Sequence, residues 1–263
     1  MARLCPLFSG SSGNSILFEA SGTRILIDAG KNAKQVELAL RTHDVDPSTI
    51  QAVFVTHEHT DHISALRVFC TRYKTPLFGT SGTIRELIRM GICTGGFPVG
   101  EVDYNGTALS DLHVTPFPTS HDAAESCGYT IETADDRKIA IATDLGVMTE
   151  MVRQALSGSD AVVIESNHDV HMLQSGGYPY PLKRRILSEQ GHLSNECCAD
   201  ELTAFLKTGT TRFILAHLSR ENNMPRLAYQ TALGVLSENG GQEGVDFLLQ
   251  VAAQDSVQKA MVL

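Results

Sequence analysis

The sequence predicts an α/β protein in which sheets are covered by helices, and three observations carry that expectation. Short β-branched runs intermix with longer segments of helical periodicity along all 263 residues, a length suited to one large domain spanning 1–263. Apolar residues make up 42% and charged residues 19%, the balance of an ordinary globular chain whose core needs no staples. Five of the apolar runs lead into a histidine, an aspartate or a glutamate.

Taken in order, residues 16–18 and 24–27 flank Ser21-Gly22-Thr23 and read as a hairpin. Further strands are expected at 52–55, 112–116, 128–132, 138–142, 161–164, 213–215 and 245–249. Helices are expected at 34–42, 64–73, 82–90, 149–156, 182–189, 195–207 and 225–237. Between 167 and 181, tyrosines, prolines and two glycines interrupt both periods, so this stretch reads as a loop or lid. No apolar run approaches the roughly 20 residues of a membrane span. The first residues lack the apolar stretch of a secretory signal, and six cysteines show no paired spacing. Reduced, buried thiols in a cytoplasmic protein without membrane attachment are the expectation.

The net charge of −9 counts against a broad nucleic-acid footprint, because phosphate binding normally uses a basic surface. Bound divalent cations would offset part of that charge where it matters, at the site of chemistry.

The strand ends carry the chemistry. Residues 53–56 run into His57, 139–143 into Asp144, 162–164 into Glu165 and 213–216 into His217, and His121 follows 112–116 after a short spacer. Strand ends are rigid, and loops leaving one sheet edge can converge on one cleft. The densest cluster is Thr56-His57-Glu58-His59-Thr60-Asp61-His62, with three imidazoles and the Asp61 carboxylate placed to bind metal. His57 and His59 can bind one metal, while Asp61 and His62 face a second. Imidazole and carboxylate suit Zn²⁺, Mn²⁺ or Fe, and Asp144, from a separate strand end, suits a bridge between two ions.

The H-x-H-x-D-H motif, followed by an isolated histidine, an aspartate and a late histidine, resembles the metallo-β-lactamase superfamily over nearly the whole chain. The resemblance implies a four-layer αββα sandwich binding two divalent metal ions. It implies His57, His59 and His121 on the first, Asp61, His62 and His217 on the second, and Asp144 between them. Asp28, closing Ile25-Leu26-Ile27, would orient a ligand histidine. Finer motifs are similar to the YycJ/WalJ-like branch, near the RNase Z and β-CASP nucleases. They are Ser9-Gly10-Ser11-Ser12-Gly13-Asn14-Ser15, Glu165-Ser166-Asn167-His168-Asp169, Tyr178-Pro179-Tyr180-Pro181-Leu182-Lys183-Arg184-Arg185, Gly191-His192-Leu193-Ser194-Asn195 and Ala216-His217-Leu218-Ser219. No insertion has the length of a β-CASP cap, and the protruding arm of RNase Z is missing.

That branch implies a 5′→3′ exonuclease acting on DNA through a metal-bridging hydroxide. Two metals roughly 3.5–4 Å apart lower the pKa of a shared water and clamp the attacking and leaving oxygens. Asp61, His192 and Glu165 are the catalytic candidates, His192 as a donor to the phosphoryl or leaving oxygen oriented by Glu165. Lys183, Arg184, Arg185 and His168 are candidates to meet substrate, and Asn14 belongs to a loop whose N–H groups can cradle a phosphate. His43 and His113 read as structural. Two other functions fit the same metal ligands: a small-molecule phosphodiesterase or thioester hydrolase, and a non-catalytic metal-bound scaffold or sensor.

Overall fold

The computed structural model describes residues 2–256 and 258–263. The N-terminal half supplies β1 (Ala2–Phe8), β2 (Ser15–Ala20), β3 (Thr23–Ile27), β4 (Ala52–Val55), β5 (Leu77–Gly79) and β6 (Val99–Glu101). The rest supplies β7 (Thr107–Leu109), β8 (Leu112–Pro118), β9 (Cys127–Thr133), β10 (Lys138–Ala142), β11 (Ala161–Glu165), β12 (Arg212–Ala216), β13 (Leu248–Val251) and β14 (Met261–Val262). Helices α1 (Ala33–Thr42), α2 (Thr60–Ile63), α3 (Leu66–Tyr73) and α4 (Ser81–Arg89) accompany the first group. Helices α5 (Glu150–Leu156), α6 (Val170–Ser175), α7 (Tyr180–Ile186), α8 (Asn195–Lys207) and α9 (Pro225–Glu238) accompany the second.

The strands form two mixed sheets, ordered β14-β1-β2-β3-β4-β5-β6 and β13-β12-β11-β10-β9-β8-β7. Side chains alternate across each strand, so each sheet has two apolar faces to bury. Ile25, Ile27 and Phe54 of the first sheet meet Tyr129, Ile131, Ile139 and Val163 of the second in the central layer. Their neighbours Leu26, Val53 and Val55 face outward onto Val36 and Leu40 of α1 and Leu66 and Phe69 of α3. On the far side Ala140, Val162 and Phe213 pack against Val152 of α5, Leu202 of α8 and Leu236 of α9. Helices therefore cover both outer faces, and the architecture is the αββα sandwich.

Strand direction positions the site. β3 and β4 are parallel, as are β10, β11 and β12. β9 is antiparallel to both β8 and β10, so β8 runs the same way as β10. The residues following β3, β4, β8, β10, β11 and β12 thus leave from corresponding ends.

The expected strands at 52–55 and 138–142 and the helix at 195–207 coincide with observed elements, and the hairpin forms as read. Three differences have physical reasons. The stretch 167–181 holds helix α6, capped by Asp169, whose side chain accepts from Met172 N, and α7 begins at Tyr180. The strand expected at 245–249 starts later, because Gly244 adopts a left-handed φ of 80° in a turn. β1 was missed because Pro6 breaks the expected pattern, although Pro6 still pairs opposite Ile16. All six cysteines are free, four of them buried, with Cys93 half-buried and Cys197 exposed. No helix among the described residues is long and apolar enough to cross a membrane.

Phe54 is fully buried between the sheets, its ring centroid 5.2 Å from Phe78 and 5.6 Å from Tyr129. Truncating Phe54 to alanine should cost about 3–5 kcal/mol, read from the denaturant midpoint at constant slope. Leu38→Ala, at a side chain 65% exposed on α1, should change stability by less than about 0.5 kcal/mol. Equal effects would mean that the inter-sheet layer is not the core.

Candidate metal centre

Three site residues turn the chain sharply as it leaves a strand. Asp28, Asp144 and His217 have left-handed φ values of 62°, 58° and 55°. This conformation is uncommon outside glycine and persists where surroundings impose it. At Asp28 they do: its backbone N–H donates to Phe54 O at 2.8 Å, while its carboxylate accepts from Thr56 N and Thr56 Oγ1, each at 2.9 Å. His217 is held at both ends of its backbone, donating to Ser9 Oγ at 2.7 Å and accepting from Asn167 Nδ2 at 2.9 Å.

The ligating atoms fall into overlapping sets, each within 4.8 Å: His57/His59/His121, Asp61/His62/His217 and His57/His62/Asp144. Asp144 faces both histidine groups, with Oδ2 3.2 Å from His62 Nε2 and Oδ1 3.6 Å from His121 Nε2. A fourth set joins Asp144, Glu165, His192 and His217. The imidazoles are aimed through their far nitrogens. His62 Nδ1 pairs with Asp28 Oδ2 at 2.7 Å, His217 Nδ1 with Glu165 Oε1 at 2.7 Å, and His121 Nδ1 with Gly191 O at 3.1 Å. That leaves His217 Nε2 without a partner, while His62 Nε2 lies 3.0 Å from Asn14 Nδ2 and His121 Nε2 3.3 Å from His59 Nδ1.

A cation fits this donor set. His57 Nε2, His217 Nε2 and Asp144 Oδ2 are buried and have no hydrogen-bond partner. Buried unsatisfied polar atoms cost about 1–3 kcal/mol each, so orphaned ring nitrogens beside a carboxylate oxygen mark a place for a positive charge. The electrostatics agree. Burial alone would push the Asp144 carboxyl up, yet His217 and His62 hold it well below the usual carboxylate range. Glu165 is held at about 2: burial opposes ionisation, and His192 and His217 overcome it. Burial opposes charge on His62 and His217, but Asp28 and Asp144 raise the first, and Asp144, Asp61 and Glu165 the second, well above the ordinary histidine value. His57 goes the other way, pushed well below that value by burial and by its charged neighbour His62.

The structure brings together His57, His59, Asp61, His62, His121, Asp144, His192 and His217, with Asp28 and Glu165 behind them. His192 Nδ1 lies 2.9 Å from Glu165 Oε1, and its ring lines the cleft with His59, Asp61 and Arg185. Glu165 does more than the expected orientation of His192. Its Oε1 serves both His192 and His217, and its Oε2 accepts from Leu145 N at 2.8 Å and Leu193 N at 3.0 Å.

Other residues stand apart from the roles expected of them. His168 is buried, does not line the cleft, leaves both ring nitrogens without a partner, and is driven down to about 4 by that burial. Lys183 Nζ donates to Gln174 O at 2.8 Å and Gly176 O at 2.7 Å, closing the end of α6 rather than facing a ligand. Asn14 is buried and braces the centre, its Oδ1 accepting from Gly10 N at 2.8 Å and its Nδ2 donating to Asp61 Oδ2 at 3.2 Å. Arg185 lines the cleft and makes a two-pronged pair with Asp122, at 2.6 and 2.7 Å. Ser9 and Gly191 stand in the motifs, but the sequence assigns them no role, because their contacts to His217 and His121 span 208 and 70 positions.

Fold and site together define a class: an α/β sandwich that binds divalent metal in a histidine and carboxylate cluster at the mouth of two sheets. The family model for the beta-lactamase superfamily domain matches residues 23–218. Exodeoxyribonuclease YycJ of Bacillus anthracis is 37% identical over 246 residues, 92% of this chain and 91% of the relative. Exodeoxyribonuclease WalJ of Streptococcus pneumoniae D39 is 33% identical over 259 residues, 95% and 94% of the two chains. The chain belongs to the beta-lactamase superfamily, in the branch of YycJ and WalJ. Among solved structures, the metallo-beta-lactamase fold protein YhfI from Bacillus subtilis aligns with TM-score 0.73 and 15% identity, covering 98% of each chain. The short form of human tRNase Z aligns with TM-score 0.64 and 17% identity over 100% of both chains. At such identities the last two speak for the fold alone.

Cation binding should expel protons. In the metal-free chain burial opposes charge on His62 and His217, but their carboxylate neighbours make each hold a proton more tightly than an ordinary histidine. A cation on either ring must displace that proton, so affinity should rise with pH until those groups have lost their protons. Calorimetric titration with Zn²⁺ near pH 7, in buffers of different ionisation enthalpy, should report net proton release on binding. Binding without proton release would contradict the assigned charge states.

Proposed function

We propose that the chain is a dinuclear metal-dependent exodeoxyribonuclease that degrades DNA from a 5′ end. The observation that carries this reading is the cluster in which Asp144 lies between His57, His59 and His121 on one side and Asp61, His62 and His217 on the other, in a chain 37% identical to a named exodeoxyribonuclease. His57, His59 and His121 would hold one cation, and Asp61, His62 and His217 the other, with Asp144 serving both. Two divalent ions, Zn²⁺, Mn²⁺ or Fe, would supply Lewis acidity to a phosphoryl oxygen and make water acidic enough to act as nucleophile at neutral pH.

The chain's own residues do the rest. Asp28 and Glu165 fix the tautomers of His62 and His217, so that the ligand atoms are set before substrate arrives. His192, tethered through Nδ1 to Glu165, presents its other nitrogen to the cleft, where it can bind or protonate the leaving oxygen. Arg185 lies on the same wall and offers a planar fork to a phosphate, which must compete with Asp122 for it. Arg184 is exposed on α7, whereas Lys183 is committed to its carbonyl partners.

End-labelled DNA tests the reading. Metal-loaded protein should release a 5′ label at once as a mononucleotide or very short fragment. His192→Ala should keep its metal content and DNA affinity while its single-turnover rate falls by roughly 10²-fold or more. Internal cuts alone, or turnover confined to small esters, would remove the exonuclease assignment. A His192 variant cleaving at the wild-type rate would remove that residue from the chemistry.

A further inference from the structure

The chain carries a net charge of −9, so a nucleic-acid strand entering the cleft needs positive charge placed locally. One such place lies where the glycine and serine loop after β1 meets the residues after β12. Lys31 is buried there, its side chain 9% exposed, and its Nζ donates to Ser12 Oγ and to Asp255 Oδ1, each at 2.8 Å. Arg220 donates to the same Ser12 Oγ at 2.9 Å and pairs with the other oxygen of Asp255. The neighbours of Ser12 and Arg220 in the chain, Ser11 and Ser219, both line the cleft beside Asp61 and His217. Two separate loops thus hold this cluster one residue back from the cleft wall.

The loop is shaped around Lys31. A Cβ on Gly13, whose φ is 152°, would fall 2.7 Å from Lys31 Cδ and 2.8 Å from its Cγ, so only glycine leaves room for the lysine stem. An ammonium enclosed in this way needs an anion or acceptors around it. Asp255 meets that need, but it is held as a removable partner. Its side chain is 54% exposed, in the irregular segment between β13 and β14. Other residues anchor that segment: Gln254 Nε2 donates to Leu218 O at 2.7 Å, and Gln258 Nε2 to Val251 O at 2.8 Å. Two cations face the one carboxylate, and neither makes another ion pair among the described residues. A guanidinium, an ammonium and a hydroxyl converging on paired acid oxygens are the donor set that holds a phosphate.

We propose that Ser12, Lys31 and Arg220 form a phosphate-binding site at the rim of the cleft, in which Asp255 stands as an internal anion until a phosphate of the DNA strand displaces it. The carboxylate released in this way turns to water, and the anchored segment around it stays in place. Lys31 and Arg220 keep an anion throughout, so the buried ammonium is never left bare. Asp255 also lowers affinity for any strand too weakly held elsewhere to compete with it. The inference rests on the nuclease reading above and adds to it a contact that holds the strand away from the metal ions.

The test measures kcat/KM of the metal-loaded protein on DNA and on bis(p-nitrophenyl) phosphate, which is too short to reach the rim from the metal centre, and takes their ratio. Asp255→Asn keeps the size of the side chain and removes its charge, so the ratio should rise by about 10-fold, the scale of one charge-assisted hydrogen bond. Arg220→Ala should lower it by about 10-fold and flatten the slope of log kcat/KM for DNA against log salt by about 0.9, the share of one phosphate. The two side chains are 54% and 48% exposed, and either variant serves if the other fails to fold. A purely structural tie at Asp255 predicts the opposite sign, because loosening it could only leave the ratio alone or lower it. A ratio in Asp255→Asn at or below that of wild type therefore overturns the proposal, as does a wild-type ratio in Arg220→Ala. Running both variants on 5′-phosphorylated and 5′-hydroxyl DNA identifies the phosphate: equal effects mean an internal one, and effects confined to phosphorylated ends mean the terminal one. Wild-type protein that hydrolyses bis(p-nitrophenyl) phosphate but no DNA would overturn the nuclease reading itself, a result distinct from an unmoved ratio.

Discussion

Three buried carboxylates, Asp28, Asp144 and Glu165, set the terms on which the rest of the chain is arranged. An ionised carboxylate in the interior is tolerated only where donors or positive charge surround it. Asp28 meets this by accepting from Thr56 and pairing with His62, which ties β3, β4 and α2 into one unit. Glu165 meets it with two backbone N–H groups and two imidazoles, which ties the ends of β10, β11 and β12 to the loop before α8. Asp144 is different. Its Oδ2 lies 3.2 Å from His62 Nε2 yet accepts no hydrogen bond, which leaves its compensation incomplete without a cation.

The sandwich makes such a cluster possible because its strands agree in direction. Each sheet contributes parallel strand ends, and the inter-sheet layer holds those ends at a fixed separation. Left-handed turns at Asp28, Asp144 and His217 then bend the chain within one residue. Gly30 shows how tight the junction is: a Cβ there would lie 1.6 Å from Asp61 O. Only glycine lets the loop after β3 pass beside the one that carries Asp61 and His62. A binding site placed on strand ends and braced in this way needs little rearrangement to accept its ligand.

Much of this was legible in the sequence, for reasons particular to each feature. Strand β4 and, after Lys138, strand β10 are apolar runs, and the histidine and acid that follow them stand out against that background. Helix α8 carries its own start signal in Ser194, whose side chain accepts from Cys197 N. What could not be read was held by distant contacts or by local exceptions. Proline within β1 hid a buried strand, and the breakers around Tyr178 hid α6 and the first residues of α7, whose remainder falls in the helix expected at 182–189. The basic run 183–185 looked uniform, yet Lys183, Arg184 and Arg185 have three different fates that only packing decides. His168 sits in the same motif as Glu165, but it turns into the interior while the chain between them carries Asn167 to the backbone of His217.

Anomalous diffraction from crystals grown with Mn²⁺ or Zn²⁺ tests the proposed dinuclear centre most directly. The expected map has two peaks, one enclosed by His57, His59 and His121 and one by Asp61, His62 and His217, with Asp144 contacting both. The same crystals of Asp144→Ala should lose occupancy at one or both peaks. A single peak in the wild-type protein, or two peaks with Asp144 touching neither, would contradict the account.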